Sequence, residues 1–264
     1  MKTALLQFTP EFGKIKRNLE KIENYVKTTQ AKLIVLPELC TTGYQFVSRE
    51  ETENLCEPIP DSFTVKAFET MCKEAGIYIT AGIAEKDGET LYNSSVLVGP
   101  KGFIGKYRKV HLFREEKKWF SPGNIGFSVW DIGETKIGMM ICFDWIFPEA
   151  ARSLALQGAE VICQPVNLVL PFCQEAMITR AIENGIFVIT ANRTGTEQRG
   201  GKDSLTFTGQ SQIVNPRGEV LFRLGEKNEY YQEVDINPGE SRDKYITPEN
   251  HILKDRKPDQ YSLD

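Results

Sequence analysis

The chain has 264 residues, with 32 lysines and arginines, 36 aspartates and glutamates, and a formal net charge of −4. That length is enough for one large α/β domain with a buried core. The sequence has no basic block, which argues against nucleic acid or an anionic membrane surface as a partner. Its six cysteines form no Cys-x-x-Cys pair and only two histidines are present, so the spacing predicts neither a metal site nor disulfides. Met1 leads directly into an apolar strand, which predicts a cytoplasmic protein without a leader or membrane span.

The first part of the chain alternates apolar strands with amphipathic helices. Apolar patterning predicts strands at 2–8, 31–36 and 77–85 and helices at 14–30 and 62–76. The strand at 31–36 is continuously apolar, which is typical of a sheet covered on both faces. Glu38 follows it after a single proline. A carboxylate at the carboxyl end of a buried strand can line a crevice, although an acid that caps a turn fits this position equally well.

A hairpin is predicted at 91–99 and 102–110, turned by residues 100–102. The cluster of glycine and lysine at this turn does not fit a phosphate loop, because Pro100 stands where the first glycine is needed. Strand alternation puts Lys109 on the opposite face from Arg108. Lys109 can therefore turn inward while Arg108 and Lys106 stay solvated as charges that protect an edge strand.

The second part of the chain begins with a charged and aromatic loop at 114–126. A hairpin (127–131 with 136–141), a helix from Pro148, a strand (159–164), a helix (173–185) and a strand (186–192) follow, and further strands are predicted at 205–215, 219–224 and 230–236. Since no linker divides the chain, we predict a single domain over 1–264. Its class is α/β, a four-layer α-β-β-α sandwich of two mixed sheets. Residues 237–264 form a polar tail that we expect to pack on a partner subunit.

Cys142 lies at the corner between the strand 136–141 and the helix that opens with Pro148-Glu149. The arrangement is that of a nucleophile elbow, although Gly-x-Ser-x-Gly is absent. Unpaired N–H groups at a helix N-terminus predict a lowered thiol pKa and donors for an oxyanion. Free cysteine is often a core residue, so position alone also fits a buried structural thiol.

Three motifs together resemble the nitrilase superfamily of carbon–nitrogen hydrolases, in order and spacing and over nearly the whole chain. They are Leu36-Pro37-Glu38-Leu39 with Gly43-Tyr44, Tyr107-Arg108-Lys109-Val110-His111-Leu112, and Cys142-Phe143-Asp144 with Phe147-Pro148-Glu149 and Arg152. The resemblance is greatest to the small single-domain aliphatic amidase and archaeal-type nitrilase branch. The loop of that branch carries a glutamate ahead of an aromatic pair and Pro-Gly, here Glu116 before Trp119-Phe120 and Pro122-Gly123.

The resemblance implies a division of labour among these residues. Cys142 would be the nucleophile, Glu38 the general base and acid, and Lys109 the cation that stabilises the tetrahedral intermediate. The backbone N–H of Phe143 would be a second oxyanion donor. Glu116 would orient Lys109 or the substrate, with Glu115 as the alternative for that role. No metal or other cofactor is required.

Substrate and assembly follow less directly. We predict that the pocket is walled by aromatic and aliphatic side chains, namely Tyr44, Phe46, Trp119, Trp145 and Leu168. No arginine cluster offers a carboxylate clamp, which favours a small, neutral, mostly aliphatic amide; a nitrile is the alternative, because archaeal-type nitrilases share Cys-Phe-Asp. A non-catalytic scaffold would be expected to have lost one of the three reactive residues. His111 is interpreted as a structural hydrogen-bonding residue. The resemblance further implies a homodimer or larger homo-oligomer that pairs through helices at 148–157 and 173–185.

Overall fold

Two six-stranded sheets form the inner layers of the structure, a computed structural model that describes residues 1–261. The first sheet consists of β1 (Lys2–Gln7), β2 (Leu33–Val35), β3 (Tyr78–Asp87), β4 (Thr90–Gly99), β5 (Gly102–Arg108) and β14 (Tyr230–Asp235). The second consists of β6 (Val129–Asp131), β7 (Lys136–Met139), β8 (Val161–Pro165), β9 (Phe187–Ala191), β12 (Gln212–Val214) and β13 (Val220–Arg223). Two small antiparallel pairs complete the strands: β10 (Thr196–Glu197) with β11 (Leu205–Thr206), and β15 (Tyr245–Thr247) with β16 (Asn250–His251).

Helices cover the sheets and connect their strands. They are α1 (Ile15–Val26), α2 (Arg49–Leu55), α3 (Phe63–Ala75), α4 (Glu116–Trp119), α5 (Pro148–Leu156) and α6 (Cys173–Asn184), with 3₁₀ turns at Cys142–Ile146, Pro238–Arg242 and Pro258–Gln260. The outer face of the first sheet packs on α1 and α3, whereas α5 and α6 pack against the second. The predicted α/β class and the four-layer α-β-β-α sandwich are confirmed. No helix within residues 1–261 has both the length and the apolar character needed to cross a bilayer.

The strand pairings explain where the sheets can hold a site. The first sheet has the order β14-β1-β2-β3-β4-β5, in which β1, β2 and β3 are parallel and the other neighbours antiparallel. The second has the order β13-β12-β9-β8-β7-β6, in which β7, β8 and β9 are parallel. Ligands bind in such sheets beyond the carboxyl ends of the parallel strands. Glu38 follows β2, and Cys142 follows β7.

Alternation along the central strands divides the apolar side chains between two cores. Leu5, Leu33 and Val35 pack in one cluster with strands of the second sheet. Leu6 and Ile34, on the opposite face, pack with α1 and α3. This period of two explains why an uninterrupted apolar sequence forms a strand that is buried on both faces.

The structure differs from the predicted elements in two places. The strand predicted at 205–215 is divided into β11 and β12, which belong to different sheets, because Gly209 and Gln210 both adopt positive φ (57° and 54°). A 3₁₀ turn over Cys142–Ile146, which was not predicted, separates Cys142 from the helix, which begins at Pro148 as predicted. Short helices α2 and α4 were not predicted.

The prediction that Arg108 stays solvated is wrong. Its guanidinium is buried, donates to both carboxylate oxygens of Glu85 at 3.0 and 3.1 Å through Nε, and lies 3.9 Å from the centre of the Tyr92 ring. Lys106 also pairs with Glu85 and is only partly exposed. The cause is the carboxylate of Glu85, which lies on β3, two strands away from Arg108 on β5. The residue pattern of β5 alone cannot reveal such a partner.

Gly82 of β3 provides a test of how closely the first sheet approaches the segment after β2. A Cβ at Gly82 would overlap the backbone of Glu38, and Gly82 already exchanges backbone hydrogen bonds with Pro37 and Cys40 at 3.1 and 2.9 Å. We expect Gly82→Ala to lower the free energy of unfolding by about 2 kcal/mol, measured by urea denaturation, because the backbone must shift. The matched control is Gly225→Ala, where a Cβ meets nothing within 4 Å. Equal stabilities of the two variants would contradict this account.

Candidate active site

A buried lysine between two glutamates forms the centre of the site. Lys109 Nζ lies 2.6 Å from Glu38 Oε1 and 2.8 Å from Glu116 Oε1. The side chains of Lys109 and Glu38 are fully buried, and that of Glu116 is 3% exposed. An ammonium group has three donors, so two are used by the glutamates and one is left for another acceptor.

Glu38 is held by its backbone as well as by Lys109. The chain turns sharply after β2, with Leu39 at φ 49°, and the turn packs on Gly82. Asn93 Nδ2 donates to Glu38 Oε1 at 2.7 Å, and Asn167 Nδ2 donates to the Glu38 carbonyl at 2.9 Å. Glu38 Oε2 is buried and has no hydrogen-bond partner among the described residues. An unpaired buried carboxylate oxygen is costly, and such groups are characteristic of functional sites.

The loop after β5 fixes the backbone of Lys109. Lys109 N–H donates to the Asn93 carbonyl, and Gly123 N–H donates to the Lys109 carbonyl, both at 2.8 Å. A Cβ at Gly123 would overlap the carbonyl of Arg108. The Pro-Gly sequence of this loop therefore has a steric reason: only glycine allows the loop to lie directly on the strand end that carries Lys109.

Glu116, rather than Glu115, faces the lysine. Glu116 opens the short helix α4, accepts from the N–H of Phe113 at 3.1 Å through Oε2, and accepts from the Tyr44 hydroxyl at 2.8 Å through Oε1. Glu115 points outward and pairs with Lys118 and Lys202 at 2.5 and 2.7 Å. The sequence alone left this choice open, and the geometry decides which glutamate contacts Lys109.

Cys142 stands at a strained corner between β7 and the 3₁₀ turn. Its φ is 42°, the left-handed region that a residue with a Cβ rarely occupies, and its side chain is buried. The predicted elbow geometry is thus present. Cys142 lines a small pocket together with Phe113, Asn167 and two of the predicted wall residues, Trp145 and Leu168.

Burial and the charges around Cys142 shift its pKa in the direction opposite to the predicted one. Burial raises the pKa of the Cys142 thiol well above its ordinary value, and the nearby carboxylate of Glu38 raises it further. Lys109 and the backbone N–H of Asn167 act in the opposite direction without prevailing. The prediction of a lowered thiol pKa is therefore wrong, since the thiol is buried, the α-helix begins six residues later and the acids come from the other sheet.

The same surroundings shift the pKa values of Lys109 and Glu116. Burial alone would lower the pKa of Lys109, but the carboxylates of Glu116 and Glu38 outweigh it and raise that pKa above its ordinary value. Burial, together with Glu38, raises the pKa of Glu116 despite the opposing effect of Lys109. The site therefore combines a protonated lysine, a protonated thiol and carboxylates that compete for one cation.

Two cavities that share lining residues lie beside this cluster. The pocket at Cys142 has a volume of about 20 Å³, close to that of one water molecule. A larger cavity of about 320 Å³ shares Phe113 and Val169 with it and extends past Glu116. The other three predicted wall residues, Tyr44, Phe46 and Trp119, line this larger cavity.

Two asparagines beside Glu38 were missed by sequence reasoning. Asn93 lies inside the buried strand β4, and Asn167 follows β8. Both carried a signal, because an amide within or directly after a buried strand needs a partner.

His111, interpreted as structural, contacts Asp144 through Nδ1 at 2.7 Å and stacks on Phe147. Within residues 1–261, no cluster of three or more histidine, cysteine, aspartate or glutamate side chains could hold a metal ion.

Comparison with known proteins identifies the family of the chain. The sequence model of the carbon–nitrogen hydrolase family matches residues 2–244, and the chain belongs to this family. A nitrilase of Pyrococcus abyssi is 47% identical over 264 residues, which cover 99% of both chains.

Solved structures of the nitrilase superfamily share the fold. The carbon–nitrogen hydrolase of Helicobacter pylori superposes with a TM-score of 0.87 at 27% identity, covering 99% of this chain and 97% of that one. A variant of a Nesterenkonia amidase, with acrylamide added to its active-site cysteine, superposes with a TM-score of 0.77 at 27% identity, covering 92% and 96%.

The raised thiol pKa predicts an unusual pH dependence of alkylation. Below a raised pKa the thiolate fraction grows with pH, so the rate of Cys142 alkylation by iodoacetamide should rise about tenfold per pH unit through the range where an ordinary thiol, with pKa about 8.5, levels off. Peptide mass spectrometry separates Cys142 from the other cysteines. The urea-unfolded protein is the control and should level off at the ordinary value. A plateau below pH 8 in the folded protein would contradict the expected direction.

Proposed function

We propose that this protein is a cysteine-dependent hydrolase that converts a small aliphatic amide to a carboxylic acid and ammonia through a thioester. The observation that carries the proposal is the free Oε2 of Glu38, a buried proton acceptor whose charge acts on the Cys142 thiol. A thiol with a raised pKa needs such a base at neutral pH. The similarity to an amidase whose active-site cysteine adds acrylamide supports the same choice of nucleophile.

The acylation half-reaction starts with the protonated thiol. Glu38 takes the thiol proton as Cys142 Sγ forms a bond to the amide carbon, and the carbonyl oxygen becomes an oxyanion. The third donor of Lys109 and the N–H of Phe143 stabilise that oxyanion. Glu38 then returns the proton to the amide nitrogen, the C–N bond breaks, and ammonia leaves a thioester on Cys142.

Deacylation uses the same groups in reverse. Glu38 takes a proton from water, the hydroxide oxygen bonds to the thioester carbon, and the C–S bond breaks as the proton returns to sulfur. Glu116 holds Lys109 in place and takes no proton in this scheme. Its hydrogen bonds from Tyr44 and from the Phe113 N–H support this positioning role.

A nitrile is the second candidate substrate. In that case Cys142 adds to the nitrile carbon, and one water must be added to the resulting thioimidate before ammonia can leave. The 47% identity to a protein named nitrilase supports this alternative. The size of the pocket at Cys142 favours a small unbranched reacting group in either case.

We also propose a homo-oligomer located in the cytoplasm. Exposed apolar side chains lie on the 3₁₀ turn and on or beside α5 and α6, the helices through which related enzymes were expected to pair: Ile146, Leu156, Leu170, Phe172 and Ile182. The tail contacts its own chain at Gly185, where Lys244 Nζ donates to the carbonyl at 2.7 Å and the Ile252 side chain lies close by; its packing on a partner subunit stays a prediction. All six cysteines are unpaired, in keeping with a reducing compartment.

Ammonia release from matched substrates tests the proposed activity. We expect the parent protein to release ammonia from short aliphatic amides, and Cys142→Ala to lose this activity completely because no acyl-enzyme can form. Nitriles of equal chain length form the second series, and Cys56→Ala is the control for loss of a buried thiol elsewhere. Release from nitriles alone would replace the amidase by the nitrilase. Activity of Cys142→Ala equal to the parent would refute the mechanism.

The proposed assembly has its own test. Leu156→Lys places a charge on the exposed face of α5, where Leu156 is 49% exposed and contributes little to the core. We expect light scattering after size-exclusion chromatography to give at least a dimer for the parent and a smaller species for this variant. Phe63→Lys, on the exposed start of α3, is the control. A monomeric parent would rule out the assembly.

A further inference from the structure

The nucleophile and its acid–base partners come from different sheets. Cys142 follows β7 of the second sheet, whereas Glu38 and Lys109 follow β2 and β5 of the first. The sheets meet mainly through apolar side chains, whose attraction is non-directional. Apolar packing alone therefore fixes the distance between the two sheets more firmly than it fixes the position of one sheet along the other. Chemistry at a thiol requires a defined direction as well as a distance.

One carboxylate joins the two strand ends. Asp144, two residues after Cys142, is fully buried. Its Oδ2 accepts from the Tyr107 hydroxyl and from the Ile141 N–H, both at 2.8 Å. Its Oδ1 contacts His111 twice, at 3.2 Å from the backbone N–H and at 2.7 Å from ring Nδ1.

These four contacts bracket both reactive residues. Tyr107 and His111 lie two residues before and two residues after Lys109, and Ile141 directly precedes Cys142. In the described part of the chain, every hydrogen bond between residues 107–111 and 141–144 ends on Asp144. Tyr107 OH also accepts from the N–H of Val110 at 3.1 Å, so the bend around Lys109 is tied to the same group.

We propose that Asp144 is a positioning residue that fixes the direction of the Cys142 thiol toward Lys109 and Glu38. The inference rests on the proposed function, in which these three groups react together. Asp144 touches neither substrate nor reacting atoms and acts only through the two backbone segments. An aspartate suits this task because both oxygens of a short side chain accept two bonds each without a flexible stem.

Asparagine at position 144 keeps the shape of the side chain but cannot accept all four of these contacts. Its amide has one accepting oxygen, and the NH₂ must face donors on one side of the bridge. Either the Ile141 N–H or the His111 N–H then meets another donor. Tyr107→Phe is milder, because it removes one bond from Oδ2 and leaves the carboxylate and both backbone contacts.

The test measures turnover and thiol reactivity separately. For Asp144→Asn we expect kcat for ammonia release to fall about 100-fold per folded molecule, with KM within about threefold, as for a misplaced reacting group. For Tyr107→Phe we expect a fall of about fivefold. The pH profile of Cys142 alkylation by iodoacetamide should move by at least about half a pH unit in Asp144→Asn, because the thiol changes its distance to Glu38 and Lys109. Asp61→Asn, at an exposed aspartate, is the control.

A merely structural role gives a different result. Asp144→Asn would then melt at a lower temperature, while its kcat per folded molecule and its alkylation profile stayed as in the parent, and the proposal would be overturned. If Asp144→Asn does not fold, a parental kcat in Tyr107→Phe overturns it equally. If the parent releases no ammonia from any amide or nitrile, the proposed function fails, and the alkylation profiles of these variants still decide whether Asp144 positions the thiol.

Discussion

The site depends on a single buried ammonium group. A charge without water is tolerated only when it is paired and hydrogen-bonded, and Lys109 meets this condition with two carboxylates from separate segments. Much of the surrounding sequence serves that arrangement. Gly82 and Gly123 let two loops approach strand ends closely, and Asn93 contacts both Glu38 and the Lys109 backbone. Burial raises the pKa of the nearby thiol, and the two acids that share one cation raise it further, so the thiol retains its proton.

Much of this architecture was accessible from sequence because it is local. The apolar strands, the hairpin that ends near Lys109 and the corner at Cys142 all follow from patterns within about ten residues. The fold class follows in turn, since strands buried on both faces need layers on either side. Such local patterns could not decide between Glu115 and Glu116. Adjacent residues on a short helix point in different directions, and only the position of the helix decides which meets the lysine.

The errors share one physical origin. Arg108 was expected in solvent because its partner Glu85 is 23 residues away in sequence. The direction of the Cys142 pKa shift was missed because it depends on burial in the folded protein and on a carboxylate from another sheet. Electrostatic effects of this kind depend on distances that no single segment encodes. Asn93 and Asn167 are different: an amide within or directly after a predicted strand is visible in the sequence, and it needs a hydrogen-bond partner if the strand is buried.

The two sheets have the same sequence of pairings when one is read from β14 to β5 and the other from β6 to β13: antiparallel, parallel, parallel, antiparallel, antiparallel. Each half thus supplies one crevice at the ends of its parallel strands, and the two crevices face each other. The first half holds acids and a cation without a nucleophile, and the second holds a thiol without a base. In the proposed mechanism neither half reacts by itself: the reaction takes place where the two sheets meet, and only the folding of the whole chain brings these groups together.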